Sequence, residues 1–398
     1  MRRLLMVGGL SMVLAVPAVQ GDALRDDLEA LMGAIAVSGR EEEAAKVVVS
    51  RLPDGLAERD RLGNVVVTLG SGEPRRLIAC GLDEPGIVVS EIRDDGYLRL
   101  RPAGNGGWSA LWAQGYEGQK VWISTAGGRV AGAVTTPSTH LYQDDGPPES
   151  VVSVAEAYVD VGAEDAGGVR EQGIEMLDPI GRHQRLTTYG NGLVGGPAAQ
   201  SKGACAALLS SARRLAAAPP TGTLVLAWTR LDLWNRKGIE HLVIERGPFD
   251  AVQLASRRFG WVQGEDGLES APLPELGSGV LGAGDATLSG TRTDVPHLAP
   301  RGGAYTGGPD WSEATLGYFA LPARYRAAQI ETVALADVER LADAIVDWAD
   351  GGGADVPPAA HPIDWGRTVD ALPHAEPART LADLVAAYGV SGHEGPVR

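Results

Sequence analysis

The sequence predicts an α/β protein, a mostly parallel sheet covered by helices with a small β-barrel domain inserted into it, and three stretches carry that prediction. Residues 77–86, L-I-A-C-G-L-D-E-P-G, are an apolar run closed by Gly, a carboxylate pair and Pro-Gly. Such a run reads as a buried strand delivering acidic groups to the end of a sheet, where α/β proteins keep their ligands. From residue 87 to residue 161 helical periodicity nearly vanishes and short strands with dense glycine replace it, the texture of an inserted barrel or sandwich. From residue 201 to residue 255 helices and strands alternate, as in a parallel sheet covered on both faces.

The 398 residues exceed the usual size of one domain, and 44% apolar with 22% charged residues is the composition of a globular protein with a sizeable core. With 35 basic against 51 acidic residues the formal charge is −16, which disfavours nucleic acid and anionic membrane as partners. Arg2 and Arg3, an apolar stretch over 4–16 and small residues over 18–21 make a cleaved signal peptide, and so an exported protein, periplasmic or extracellular. The apolar stretch falls short of the ~20 residues a membrane span needs.

Leu24, Leu28, Leu31 and Ile35, then Ala44, Val48 and Leu52, recur at helical spacing. Two amphipathic helices follow, broken at Val37-Ser38-Gly39, with acidic residues 41–43 opening the second. D-R-L-G-N at 60–64 turns into a β-branched strand over 65–69. Strands are predicted over 87–92, 97–101, 119–125, 129–135 and 154–161, then a helix over 201–218, a strand over 223–229, a helix over 237–245, strands over 251–255 and 318–321, and an amphipathic helix over 335–348. The domains read as 22–86 with 197–350 for the α/β part, 87–196 for the insert and 351–377 for a Gly/Pro/Ala-rich linker.

Residues 378–398 begin a second, truncated repeat. Leu381, Leu384, Ala387, Val390, Ser391, Gly392 and Glu394 repeat the helix-and-turn pattern of residues 28–41 in register. The expectation is a tandem protein in which the first domain supports a second.

The D-E-x-G strand, the V-S-G-x-E turn, D-x-x-G-N, the barrel markers Q-K-V-W-I-S-T-A-G-G and V-D-V-G-A, and R-Y at 324–325 occur in the order of one family. The chain resembles family forty-two of the metallopeptidases, the di-metal glutamyl and deblocking aminopeptidases that include the TET peptidases. The resemblance implies a di-zinc aminopeptidase-like fold, and an inserted β-domain that pairs subunits into homo-oligomers or pairs with a second domain of the same chain. Activity in that family needs two metals about 3.5 Å apart, bridged by a carboxylate, and a Glu as base.

Matched position by position, the family's first His falls on Gly81, while Asp83 and Glu84 are kept. The bridging Asp falls on Cys205, with Lys202 kept. The Glu pair, base then ligand, falls on Arg230 and Leu231. The next Asp falls on Ala255 or Ser256, and the last His on Ala327. No metal ligand and no catalytic base remain, so the expectation is a pseudo-peptidase without cofactor, with peptides as possible ligands. An active aminopeptidase using zinc or cobalt on displaced ligands is the alternative.

Three further constellations carry less. His140 with Asp144 and Asp145 reads as a solvated loop, and G-x-G-x-x-G at 277–282 has no βαβ unit around it. Glu240, His241 and Glu245 share one predicted helix, where a single element reads as a solvated face. Cys80 is expected to face away from Gly81, since strand neighbours point to opposite faces, leaving Cys80 and Cys205 as buried free thiols.

Overall fold

The computed structural model describes residues 17–104, 110–136, 153–183, 185–190, 192–234, 236–255, 315–319, 321–325 and 328–351. Residues 1–16, the 140–145 trio, Ser256, the 277–282 motif, Ala327, and the linker and repeat beyond residue 351 lie outside them.

The chain enters through α1 (Pro17–Gly33) and α2 (Glu42–Arg51), then β1 (Glu58–Arg59), β2 (Val65–Ser71) and β3 (Arg75–Gly81). The leucine spacing of α1 buries Leu24, Leu28 and Leu31. Glu42 and Glu43 sit in the first turn of α2, where they complement the helix dipole. The insert follows: β4 (Gly86–Ile92), β5 (Leu98–Ala103), α3 (Ala110–Gln114), β6 (Lys120–Thr125), β7 (Gly128–Thr135), β8 (Tyr158–Asp160), α4 (Ala166–Glu171) and β9 (Pro179–Arg182). After β10 (Thr187–Tyr189) and β11 (Leu193–Gly196) come α5 (Ala199–Ala217), β12 (Gly222–Thr229), α6 (Lys237–Arg246), β13 (Ala251–Ala255), β14 (Thr315–Phe319), β15 (Glu331–Ala334) and α7 (Leu335–Asp350).

The main sheet runs β1-β2-β12-β3-β13-β14. β12, β3, β13 and β14 are mutually parallel, and β2 is antiparallel to β12. β3 is central and buried on both faces. Its Leu77 and Ala79 pack with Ile239, Leu242 and Val243 of α6 on one side. Ile78 and Cys80 pack with α1, α5 and α7 on the other. At ~1.5–3 kcal/mol per fully buried aliphatic side chain, these two layers set where the strand lies and where it ends. Most of α5 is buried, as expected of a helix apolar or small nearly all round.

The insert closes into a six-stranded barrel in the order β4-β5-β8-β7-β6-β9. β10 and β11 do not enter it and pair instead with β15 in a separate three-stranded sheet. Among the described residues, no helix is long and apolar enough to cross a membrane.

Candidate functional site

The parallel register brings Gly81 of β3, Thr229 of β12 and Ala255 of β13 to one end of the sheet, with Gly81 opposite Thr229 and Cys80 opposite Ala255. The Leu82 amide donates to the Thr229 carbonyl (2.9 Å). The Thr229 hydroxyl donates to the Cys80 carbonyl (3.0 Å). Strand β3 is thereby clamped where it releases Asp83 and Glu84. Of the positions matched from sequence, Gly81, Asp83, Glu84, Lys202, Cys205, Arg230, Leu231 and Ala255 lie within the described residues.

Cys80 and Cys205 are joined by a disulfide, with Cα atoms 5.5 Å apart. This corrects the expectation of two free thiols. The alternation argument held that Cys80 and Gly81 face opposite sides, but the side that Cys80 shares with Ile78 is the one α5 covers, and Cys205 is on the covering helix. The Cys205 sulfur also lies 3.4 Å from the Gly81 carbonyl oxygen.

Gly81 has no free volume beside it. A Cβ built there would stand 2.6 Å from Asp232 Cβ and 2.7 Å from Asp232 Cγ, closer than side chains approach. Asp232 fills the space from the loop after β12.

Asp83 is 2% exposed. One oxygen accepts from the Ser38 hydroxyl (2.6 Å) and the Leu233 amide (2.9 Å), the other from the Asp232 amide (3.1 Å). Burial foremost, then the carboxylates of Asp232 and Glu41, push its pKa up to about 7, with the Ser38 and Leu233 donors offsetting only part.

Glu84 is the centre of a buried ionic knot. Its carboxylate accepts from Arg185 Nη2 (2.5 and 2.6 Å) and from Lys202 Nζ (2.6 Å). Lys202 also donates to the Ala34 carbonyl (3.0 Å), and Arg185 to those of Met32 (3.1 Å) and Ala34 (2.8 Å). Burial opposes ionisation of Glu84, but the two cations outweigh it and hold its pKa below the usual range. Lys202, also desolvated and repelled by Arg185, falls to about 8 despite its partner. Glu84 faces two cations and is ionised, and Lys202 remains protonated at neutral pH. Arg185 was not anticipated from sequence: it sits between β9 and β10 in no motif, and only the fold brings it to Glu84.

Arg230 and Leu231 close the other flank. The Arg230 side chain donates to Glu41 (2.8 Å) and to the carbonyls of Leu62 (3.1 Å) and Gly39 (3.2 Å). The Leu231 amide donates to the second oxygen of Glu41 (3.1 Å). Glu41 itself is fully buried. Gly63, at φ +88°, passes so close to Arg230 that an added Cβ would stand 2.7 Å from Nη1, which is why D-R-L-G-N needs its glycine. Ala255 is buried and offers no polar side chain. The sheet end is thus a region of disulfide, internal ion pairs and satisfied carboxylates.

Residues 63–230 match the M42 glutamyl aminopeptidase family, from the β1–β2 turn to the last residue before Leu231. Among curated relatives, the chain is 28% identical over 222 residues to the putative aminopeptidase SgcX of Escherichia coli (strain K12), covering 54% of this chain and 58% of that one. It is 31% identical over 163 residues to the glutamyl aminopeptidase of Lactococcus lactis subsp. cremoris (strain MG1363), covering 39% and 44%. The chain spans about half the length of the curated relatives it matches. In structure it is similar to the TET1 peptidase of Pyrococcus horikoshii, described as able to assemble into a tetrahedron or a large octahedral shell, with a TM-score of 0.64 at 21% identity over 82% of this chain and 99% of that one. The strand carrying Asp83 and Glu84 and the inserted barrel lie within the stretch that matches the M42 glutamyl aminopeptidase family, and over that stretch the chain is similar to this family, with a fold like that of the TET peptidases.

Proposed function

We propose that this chain is a catalytically silent, aminopeptidase-like domain of an exported protein, with a structural or peptide-binding role and no resident metal pair at the sheet end. The observation that carries the reading is the space at Gly81. The position matched to the family's first metal ligand holds no side chain, and Asp232 occupies the volume a ligand would need.

Its neighbours agree. Cys205, matched to the bridging carboxylate, is consumed by its bond to Cys80. Arg230 and Leu231, matched to the catalytic Glu pair, offer a guanidinium committed to Glu41 and an aliphatic chain. The two kept carboxylates accept from internal donors. Asp83 is held by Ser38, Asp232 and Leu233, and Glu84 by Arg185 and Lys202. These residues do not fit a co-catalytic metal pair, which needs imidazole and carboxylate donors converging from several elements.

Export is supported by the basic and apolar N-terminus and by a disulfide within the core, since such bonds persist in oxidising compartments. The inserted barrel is the surface through which we expect the domain to pair, with a second copy or with the tandem domain read from residues 378–398.

The deciding experiment is an assay of purified protein on aminoacyl-p-nitroanilides with added zinc or cobalt. No hydrolysis above background is expected. Turnover that a chelator abolishes would overturn the reading in favour of an active enzyme with displaced ligands. Peptides with free N-termini, titrated calorimetrically, separate the two silent roles: binding tighter than millimolar supports peptide capture, and its absence leaves the structural role.

A further inference from the structure

We propose that Asp60, His241 and Glu245 form a second cation site, for a divalent transition metal of the zinc class, on the side of the domain where α6 meets the β1–β2 turn. Sequence places His241 and Glu245 on one helix face and no more. The fold adds Asp60 from a distant part of the chain, so that one ligand atom from each of the three lies within 4.8 Å of the others. Ligands then come from two elements.

Each donor is prepared differently. Asp60 is only 9% exposed, and Asn64 orients its carboxylate, donating its amide to one oxygen (2.9 Å) and its side-chain nitrogen to the other (2.6 Å). The Asn64 side chain also donates to the Gly238 carbonyl in the first turn of α6 (3.0 Å), so turn and helix are held in register. This is the outer-shell support that metal-ligating carboxylates require.

His241 supplies the observation that points to a ligand. Its Nε2 is shielded from water and has no hydrogen-bond partner. The Glu245 carboxylate lies 3.6 Å away, past hydrogen-bonding reach. The His241 side chain is a third exposed, but its shielded Nε2 makes no hydrogen bond, a cost that a cation between it and the two carboxylates removes.

One imidazole and two carboxylates suit zinc, which accepts three protein ligands and a water, better than calcium or magnesium, which favour all-oxygen shells. Ligand bonds of about 2.0–2.1 Å put tetrahedral donors roughly 3.3 Å apart. His241 and Glu245 are near that separation already, and Glu245, with 35% of its side chain exposed, has the rotamer freedom to close the rest. The ion would brace the turn leading into β2 against the helix that follows Arg230. Asn64 extends the brace, since its Oδ1 accepts from the Arg230 amide (2.8 Å).

The test is titration of the metal-free full chain with Zn2+ alone, by competition with a chromogenic chelator, for the native protein, His241→Ala and Glu245→Gln. The native chain is expected to take up one equivalent with a Kd on the order of micromolar. Glu245→Gln should weaken it at least about tenfold and His241→Ala at least about 100-fold, since loss of a ligand costs no less than loss of an outer-shell partner. Added Zn2+ should raise the melting temperature of the native chain and not that of His241→Ala. Equal melts of the metal-free proteins check that both variants fold.

Uptake unchanged in His241→Ala, or no native uptake tighter than millimolar, would overturn the site. Peptidase turnover followed in the same samples keeps the two proposals apart. Zinc lost from His241→Ala without turnover in either protein supports both, whereas turnover that survives His241→Ala would sink catalytic silence and leave this site standing.

Discussion

The inserted barrel and the sheet end are both buried, yet they are built by opposite means. The barrel core is built mainly of aliphatic side chains, with Ile87, Val89, Leu98, Val121, Ile123 and Ile180 all covered, and on its outside charges pair as Arg93 does with Asp95. The sheet end buries Glu41, Asp83, Glu84 and Lys202 and adds a covalent bond between Cys80 and Cys205. An apolar core is tolerant, because any well-shaped aliphatic residue serves. A buried ionic knot is not, because each member is stable only while its partners remain. The difference teaches that the barrel is held by bulk burial, whereas the sheet end is held by specific partners that depend on one another.

The largest expected effect tests that dependence. Glu84→Gln should destabilise the protein by about 3–5 kcal/mol in urea unfolding, because Arg185 and Lys202 are left as two buried like charges without their anion. Adding Arg185→Met to it should recover part of the loss, since one of the two unpaired cations is then removed. A double variant worse than the single one would show that the knot does not behave as an ion pair.

Next comes the disulfide, which closes a loop over a sequence separation of 125. Replacing both cysteines by Ala should cost about 2–5 kcal/mol, toward the upper end for so long a loop. Unfolding of the native chain with and without a thiol reductant should give a matching difference.

In the barrel, Leu98→Ala should cost about 2–4 kcal/mol as a cavity. Among the described residues packed in that core the titratable group is the phenol of Tyr116, which burial pushes up to about 12, far above either pH, so the cost should be the same at pH 5 and pH 8. A pH-dependent cost would erase the contrast between the two regions.

The smallest effect concerns Asp83. Burial first, then Asp232 and Glu41, raise its pKa from 3.8 to about 7 in the folded protein. Over that window the folded state binds more protons than the unfolded state, so this group's contribution to stability falls as pH rises from about 4 to about 7. Glu84 has the opposite sign, its folded pKa being lowered: its contribution is present above the ordinary carboxylate range and is lost as pH falls. Asp232→Asn removes one cause of the Asp83 shift, and should make the protein more stable than native at pH 8 by on the order of 1 kcal/mol, with no gain at pH 4. A gain independent of pH would mean that Asp83 is not the group responding.

The amino-acid sequence by itself determined the order of elements, because apolar periodicity is a local property. α2, β3, β12, α6 and β13 lie where 3.6- and 2-residue patterns put them, and the glycine-dense stretch became a closed barrel. Short elements without a full period, such as α3, α4, β9 and β15, were not legible, since four to six residues carry too little pattern to distinguish. Sequence also exposed which residue types stand at the sheet end, through Gly81, Cys205, Arg230 and Leu231 in otherwise recognisable motifs.

Only the tertiary structure decided what those residues do. That Cys80 reaches Cys205 depends on which face of β3 the helix α5 covers. That Arg185 reaches Glu84 depends on the return of the chain from the barrel, and that Asp60 joins His241 and Glu245 depends on α6 packing beside the β1–β2 turn. Partners far apart in the chain are chosen by packing, and no local pattern records the choice.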